Sequence, residues 1–366
     1  MNSGETTIVS MINVIREDLK NLYKKNYDWE LLKDSTVLIT GGYGMLASYI
    51  VFFLIYLNEV HNMRIKIICQ GRNPEKMAAR FGTYISKEYF HEEYFTLNER
   101  IPIKDKADYI FHAASPADPS WYEENPVEVE EPNVLGTYFL LNYAKECNSK
   151  GFLYFSSGDV YGEMNGLAKD ITEDMSGIVD PLDPHSCYGE SKRMGETWCV
   201  SFYREYGVPV KIARIGHTYG PTMDVKNDPR VFSAFVKNVM EGQDIVMHSD
   251  GTARRPFCYI ADATAAFFLL ILRGKAGEAY NVCNTQQFIS IAELAEILIS
   301  LCPEKKLHVI TKERVRTGKY MEAAFNRANK PVEAKLKELG WECDYSVKEG
   351  FRQVLKALSV EEEEHE

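Results

Sequence analysis

Tyr188 and Lys192 stand four residues apart in the stretch Tyr188-Gly189-Glu190-Ser191-Lys192. On a helix that spacing is one turn, so the phenol and the ammonium share a face. A nearby ammonium favours the phenolate electrostatically and can also hold a nicotinamide ribose. A phenol so tuned exchanges a proton with a hydroxyl while hydride moves to a nicotinamide ring. With 22 tyrosines in the chain, on the order of one Y-x-x-x-K match is expected by chance. Tyr188 is the only tyrosine that makes one. Upstream lies Phe155-Ser156-Ser157-Gly158-Asp159-Val160-Tyr161-Gly162, where a serine at a strand end can hydrogen-bond the reacting oxygen.

A second constellation suits phosphate. Thr40-Gly41-Gly42-Tyr43-Gly44-Met45-Leu46-Ala47 joins the apolar run TVLIT to a helical run starting at Met45. Gly41 allows a tight turn, Gly44 lets backbone approach a pyrophosphate, and Ala47 permits close helix–strand packing; the helix N-terminus offers free N–H groups and positive dipole. The spacing is G-x-x-G-x-x-A rather than G-x-G-x-x-G. The next strand ends Cys69-Gln70-Gly71-Arg72-Asn73, without the acid that holds the ribose 2′-OH of NAD. Arg72 can accept the 2′-phosphate of NADP or stack on adenine, so these residues lean toward NADP.

Such groups need a frame. Residues 36–40, 65–69, 109–113, 152–156 and 209–214 read as buried strands, with helices at 45–57, 133–147 and 188–206. This alternation predicts an α/β fold with a doubly wound parallel sheet of Rossmann type. After residue 220 the alternation weakens: helices are expected at 231–241, 261–272 and 291–301, with short strands such as 244–247 and 278–282. That half reads as a smaller α/β substrate-binding domain. The expected organisation is a helical extension at 1–34, a dinucleotide-binding domain at 35–220, a smaller domain at 221–356 sharing segments with the first, and an acidic disordered tail at 357–366. Within the extension, residues 8–24 carry apolar side chains at three- and four-residue intervals, which predicts an amphipathic helix lying on the body of the protein.

Composition narrows the class. The chain has 366 residues, 45% hydrophobic and 26% charged, which excludes global disorder. Its net charge is −11, and five acids fall within Glu361 to Glu366; the body is acidic, which argues against nucleic acid or an anionic membrane surface as partner. A phosphorylated ligand stays open, since it needs only local donors. The eight cysteines include no C-x-x-C pair, so neither a zinc ribbon nor a disulfide scaffold is indicated. No metal site is expected. Glu5, Glu17 and Asp18 interrupt the N-terminus, unlike a signal peptide, and the longest apolar run, Met45 to Leu57, falls short of the roughly 20 residues a membrane span requires. A cytoplasmic protein is expected.

Taken in order, the motifs resemble the extended short-chain dehydrogenase/reductases that act as nucleotide-sugar epimerases, dehydratases and decarboxylases. They are TGGYGMLA at 40–47, HAASPADP at 112–119, SSGDVYG at 156–162, YGESK at 188–192, ARIGHTYGP at 213–221, RRPFCYIAD at 254–262 and LGW at 339–341. Among the branches, CYGESKRMGET at 187–197 and DPRVFSAF at 228–235 look most like UDP-glucuronate decarboxylases. The resemblance implies Tyr188 as catalytic acid/base, Lys192 as the partner that lowers its pKa, and Ser157 as the hydroxyl on the sugar's 4-oxygen. It places Gly41, Tyr43, Gly44, Met45, Leu46, Arg72, Ala113, Ala114 and Ser115 around NAD or NADP, NAD being favoured by the family. Arg255 would grip the diphosphate of a nucleotide-diphosphate sugar, and Arg230 would lie near its base or ribose. The implied reaction oxidises C4, acts on the 4-keto sugar, then returns the hydride. A homodimer paired through the helix bearing Tyr188 is likewise implied.

Three positions depart from the family pattern. Where dehydratases carry an Asp-Glu pair the chain has Gly158 and Asp159; this disfavours dehydration and leaves Asp159 as a shortened base. The decarboxylases' arginine, a few residues after Lys330-Pro331, is replaced by Val332, Glu333, Ala334 and Lys335, leaving Lys335 or Arg327 to substitute. The usual asparagine before TYGP is His217, which could bind a sugar hydroxyl or titrate near neutral pH. The small residue at 158 resembles the 4-epimerases. The expected order is epimerase, decarboxylase, dehydratase; the alternatives are an NADPH-dependent keto-sugar reductase and a non-catalytic nucleotide-binding scaffold.

Overall fold

A computed structural model describes residues 3–117, 119–164, 170–183, 185–312 and 330–359. Secondary elements are numbered in chain order. Seven described strands form the main sheet: β1 (Thr36–Thr40), β2 (Lys66–Gly71), β3 (Phe90–Tyr94), β4 (Tyr109–His112), β5 (Gly151–Ser157), β6 (Val210–Ile215) and β7 (Glu278–Val282). They are all parallel, in the order β7-β6-β5-β4-β1-β2-β3. The order reverses beside β1, and in open α/β sheets a ligand crevice forms at such a switch point, outside the strands' carboxyl ends. There lie the glycine turn after β1 and the serines that end β5.

Each buried strand divides its side chains between two cores, as a pleat demands. Val37 and Ile39 of β1 face the larger core, while Leu38 joins Ile68, Ile110, Phe152 and Ile212 on the other face. The helices that position the site are α1 (Ser3–Lys24), α2 (Met45–His61), α3 (Pro74–Phe81), α4 (Pro119–Glu124), α5 (Pro126–Glu131), α6 (Thr137–Cys147), α7 (Ser186–Tyr206), α8 (Val231–Met240), α9 (Ile260–Arg273), α10 (Ile291–Ser300), α11 (Ala334–Glu338) and α12 (Val347–Leu358). Helices α6 and α7 cover the smaller core through Leu140, Leu141, Cys199 and Phe202. Helices α2 and α9 cover the larger one; α2 is apolar almost all round because it is enclosed, with ten of its residues buried.

The seventh strand comes from the range read as the smaller lobe, so that lobe returns one strand and α9 to the large sheet. Helix α12 runs to Leu358 with Ala357 fully buried, so the stretch read as a tail from 357 begins helical. Residues 360–366 lie outside the described residues. No described helix is long and apolar enough to cross a membrane. All eight cysteines are free thiols.

Candidate active site

The glycine turn takes the shape its composition calls for. Gly41 has φ +65°, and a Cβ there would come within 2.8 Å of the Ala114 Cα; a Cβ on Gly42 would meet the Cys69 Sγ at 2.1 Å. Side chains are excluded at both positions, so the turn is pressed onto the ends of β2 and β4. Gly44 then caps α2 and leaves the first N–H groups of a long helix facing outward. This cradle fits a pyrophosphate.

Thr40 braces the neighbouring loop. Its hydroxyl accepts the N–H groups of Ala113 and Ala114, both at 3.2 Å, and sits 3.0 Å from His112 Nδ1. The Nε2 of His112 lies 3.1 Å from the carbonyl oxygen of Pro132 and 3.0 Å from Thr137 Oγ1. A carbonyl can only accept, so Nε2 carries the proton and Nδ1 accepts from Thr40. Burial, then the charge of Lys192, push His112 down to about 3: it is a neutral strut between the turn and the π-helical turn Pro132–Gly136. Within that turn Asn133 donates to the carbonyl of Val129 and to Ser191 Oγ, at 2.9 and 3.0 Å, fixing α7 from behind.

Helix α7 carries Tyr188 and Lys192 side by side, both buried, at 8% and 3% exposure. The Lys192 Nζ lies 5.6 Å from the centre of the Tyr188 ring and donates to the Phe155 carbonyl oxygen at 2.6 Å. That bond ties the helix to the end of β5. Ser157, at the end of β5, is close enough to the Tyr188 phenol to oppose the rise in its pKa. Asp159 follows, its backbone N–H donating to Ser157 Oγ at 3.2 Å. Tyr122 of α4 stacks on the Tyr188 ring, centres 5.0 Å apart and 10° from parallel.

Burial dominates the electrostatics of the site. Burial, then the Asp159 carboxylate, push the phenol well up, against the Ser157 hydrogen bond and the charge of Arg230. Burial pushes Lys192 itself down to about 7, with Glu196 opposing. The ammonium donates to the Phe155 carbonyl oxygen while its Nζ stays 5.6 Å from the centre of the Tyr188 ring.

Arg230, expected near the base or ribose, sits beside the dinucleotide turn, its Nη2 3.9 Å from Met45 Sδ. It forms a two-point pair with Asp228, at 2.9 and 2.6 Å; burial pushes that carboxyl up, but the guanidinium outweighs it and leaves it below the ordinary range. Arg255 lies half-buried on the short strand Arg254–Pro256, which pairs with Phe288–Ser290. His217 is exposed, its ring edge-on to Phe257 at 6.1 Å. Met45 and Leu46 open α2, Tyr43 lies half-buried over Gly71, Ser115 is half-buried after β4, and Arg72 is exposed at the end of β2.

Lys335, one of the two candidates for the missing decarboxylase arginine, is paired at the sheet edge. It donates to Glu278 Oε2 at 2.7 Å and to the Ala279 carbonyl at 2.8 Å, outside the edge strand β7. Arg327 lies outside the described residues. Glu333 is turned inward, accepting from Thr285 Oγ1 at 2.7 Å. No group of three or more metal-ligating side chains is found among the described residues.

Sequence reasoning missed Tyr122, Asn133, and the pair Glu196–Arg214. Arg214 of β6 meets Glu196 of α7 at 2.9 and 2.7 Å, and Glu196 also accepts the Ser156 hydroxyl at 2.6 Å. Glu196 follows Lys192 by four residues, so the face that carries Tyr188 and Lys192 continues into it. That periodicity was a readable signal.

A parallel sheet with a glycine turn at its switch point, and Ser, Tyr and Lys converging beside it, defines a dinucleotide-dependent enzyme of the dehydrogenase/reductase type. The chain belongs to the NAD-dependent epimerase/dehydratase family, whose profile matches residues 37–283. UDP-glucuronic acid decarboxylase 6 of Arabidopsis thaliana is 31% identical over 318 residues, 86% of each chain. The solved UDP-N-acetylglucosamine 4-epimerase of Methanobrevibacter ruminantium superposes with a TM-score of 0.74 at 22% identity, over 89% of this chain and 98% of that one. The UDP-glucuronic acid 4-epimerase of Bacillus cereus, crystallised with NAD, gives 0.70 at 19% identity, over 88% and 98%.

Proposed function

We propose that the chain converts a nucleoside-diphosphate sugar by transient oxidation at C4, with epimerisation as the net outcome. What carries this reading is the meeting of Tyr188, Ser157 and Lys192 beside a turn built for a dinucleotide. When bound, the dinucleotide supplies the hydride acceptor and later the donor. Ser157 holds the sugar's 4-oxygen, and Tyr188 takes and returns the proton on that atom. Lys192 and Arg230 provide the cationic surroundings that a phenolate needs, and Arg255 grips the diphosphate.

The space at residue 158 favours epimerisation. A Cβ on Gly158 would meet only the Ile215 carbonyl oxygen, at 3.9 Å, so a keto sugar has room to turn before hydride returns to its other face. Decarboxylation is the second reading, supported by the UDP-glucuronic acid decarboxylases among the curated relatives and by a cation, Arg230, acting at the reacting phenol. Dehydration ranks third, because the acid position holds Gly158. A net reductase or a non-catalytic scaffold draws no support from the relatives.

Incubation with UDP-, dTDP-, CDP- and GDP-sugars, read by mass and proton NMR, tests the proposal. Unchanged mass with an inverted C4 proton is the expected result. Loss of carbon dioxide would favour the second reading, loss of water the third. We also infer a cytoplasmic homodimer: Leu135 and, on α6 and α7, Tyr138, Met194, Tyr203 and Tyr206 are exposed, a face suited to a second copy, and sedimentation should give twice the chain mass.

A further inference from the structure

The adenosine end of the dinucleotide site does not fit the unphosphorylated cofactor as well as the pyrophosphate end does. In this architecture an acid at the end of the second strand ordinarily holds the ribose 2′-OH of NAD. Here β2 ends in Gln70-Gly71 and continues to Arg72. Gln70 is spent on the frame: it is buried, accepts the Gly41 N–H at 3.1 Å and donates to the Phe95 carbonyl at 2.6 Å. It has a structural task and does not replace the acid.

Arg72 follows at the same strand end. It is exposed, and its guanidinium pairs with no carboxylate among the described residues. Its backbone is pinned to the phosphate turn, the Arg72 N–H donating to the Tyr43 hydroxyl at 3.4 Å. Gly71 runs directly beneath the Tyr43 ring, where a Cβ would meet Cε1 at 2.5 Å. Arg72 is therefore held at the end of β2, one residue beyond the glycine that packs under the Tyr43 ring of the phosphate turn. Asn73 then caps α3 by accepting the Lys76 N–H at 2.9 Å, and Lys76 is a second exposed cation one turn into that helix. The acids of this region are Glu75 on α3 and Glu92 and Glu93 on β3; Glu92 is engaged by the Tyr94 hydroxyl, and Glu93 lies one strand further out, opposite Gln70.

We propose that this site takes NADP(H) in preference to NAD(H), with the Arg72 guanidinium gripping the 2′-phosphate. A planar guanidinium matches phosphate oxygens at two points, which an ammonium or an amide does not. The inference rests on the dinucleotide site alone, and holds whichever sugar the enzyme processes.

The test is equilibrium binding to the full-length protein, followed by energy transfer from tryptophan to reduced nicotinamide. NADPH is expected to bind at least about tenfold more tightly than NADH, with 2′,5′-ADP displacing it more readily than 5′-AMP. Arg72→Ala should lose that tenfold for NADPH and change NADH by less than about twofold. If the protein purifies with its cofactor bound, mass spectrometry of the nucleotide released on denaturation should find the 2′-phosphorylated form. Equal or tighter NADH binding by the wild type, a released pool of NAD, or an Arg72→Ala variant weakened equally toward both cofactors would overturn the proposal.

Discussion

The Tyr188 hydroxyl is asked to move a proton from inside a buried site, where burial and the Asp159 carboxylate both hold the proton on. Its proton-donating form is thus the resting one, and the cations around it decide how readily it becomes a base. Tyr188→Phe keeps the stacked ring against Tyr122 and removes only the oxygen. Turnover should fall by about a hundredfold or more while thermal unfolding and dinucleotide binding stay near wild type, which steady-state kinetics and a melting curve would check. A fold-wide loss of stability would instead make Tyr188 a packing residue. Tyr188, Lys192 and Ser157 were readable from spacing, because helix and strand-end geometry translate directly into position. The field at the phenol was not. It depends on where the Lys192 Nζ turns, on Arg230 reaching over from another lobe, and on burial, none of which a local pattern contains.

Helix α7 and strands β5 and β6 are held by one ion pair behind the reacting groups. Glu196 and Arg214 are only 12% and 13% exposed, and the same carboxylate takes the Ser156 hydroxyl, next to Ser157. Removing one partner of such a pair leaves a buried charge, at a cost of about 3–5 kcal/mol. Glu196→Ala should therefore lower unfolding stability by roughly 3 kcal/mol in urea, and slow turnover more than it raises KM. Replacing both partners with apolar residues should recover much of the stability, but not the turnover. Sequence patterning located most elements near the site within a few residues, since buried parallel strands are continuous apolar runs. It missed β3, whose FHEEY pattern reads as surface because the strand is an edge. It also read the start of the 133–147 helix as regular, where Pro132 and Asn133 open a π-helical turn. Helix α12 carries an amphipathic period that is legible in the sequence.

Across the whole chain, the N-terminal helix lies on the body of the protein as its pattern implies, and it also acts as a fastener. Asp18 of α1 is buried and accepts the hydroxyls of Tyr49 on α2, Tyr259 at the head of α9 and Tyr345 before α12, at 2.5, 2.6 and 2.8 Å. Lys25 meets Asp344 at 2.9 Å, Arg273 meets Asp28 at 2.7 Å, and Trp29 packs edge-on against Phe53 and Phe268. The extension joins the dinucleotide half to the C-terminal lobe. Burial raises the Asp18 carboxyl from 3.8 to about 6, overcoming the three tyrosine hydrogen bonds, with Glu17 adding to the rise. A raised acid binds its proton more tightly in the folded state, so its stabilisation is full below the unfolded value and is lost as pH rises through about 6. Asp18→Asn should therefore gain on wild type by about 3 kcal/mol between about pH 4 and pH 7, in paired urea titrations. A constant difference across that range would show that Asp18 stays charged. The sequence shows Asp18 as one acid on a polar helix; only the fold reveals three tyrosines from distant segments closing on it.

In the proposed cycle, hydride leaves the sugar and returns within one turnover. Rapid mixing of the enzyme with its nucleotide-sugar substrate, monitored by the fluorescence of reduced nicotinamide, tests it directly. The expected result is a transient rise that decays to the starting level as product forms, absent in Tyr188→Phe, with deuterium placed at C4 retained at C4 of the product. Product formation with no transient, and with the C4 deuterium lost to solvent, would contradict it.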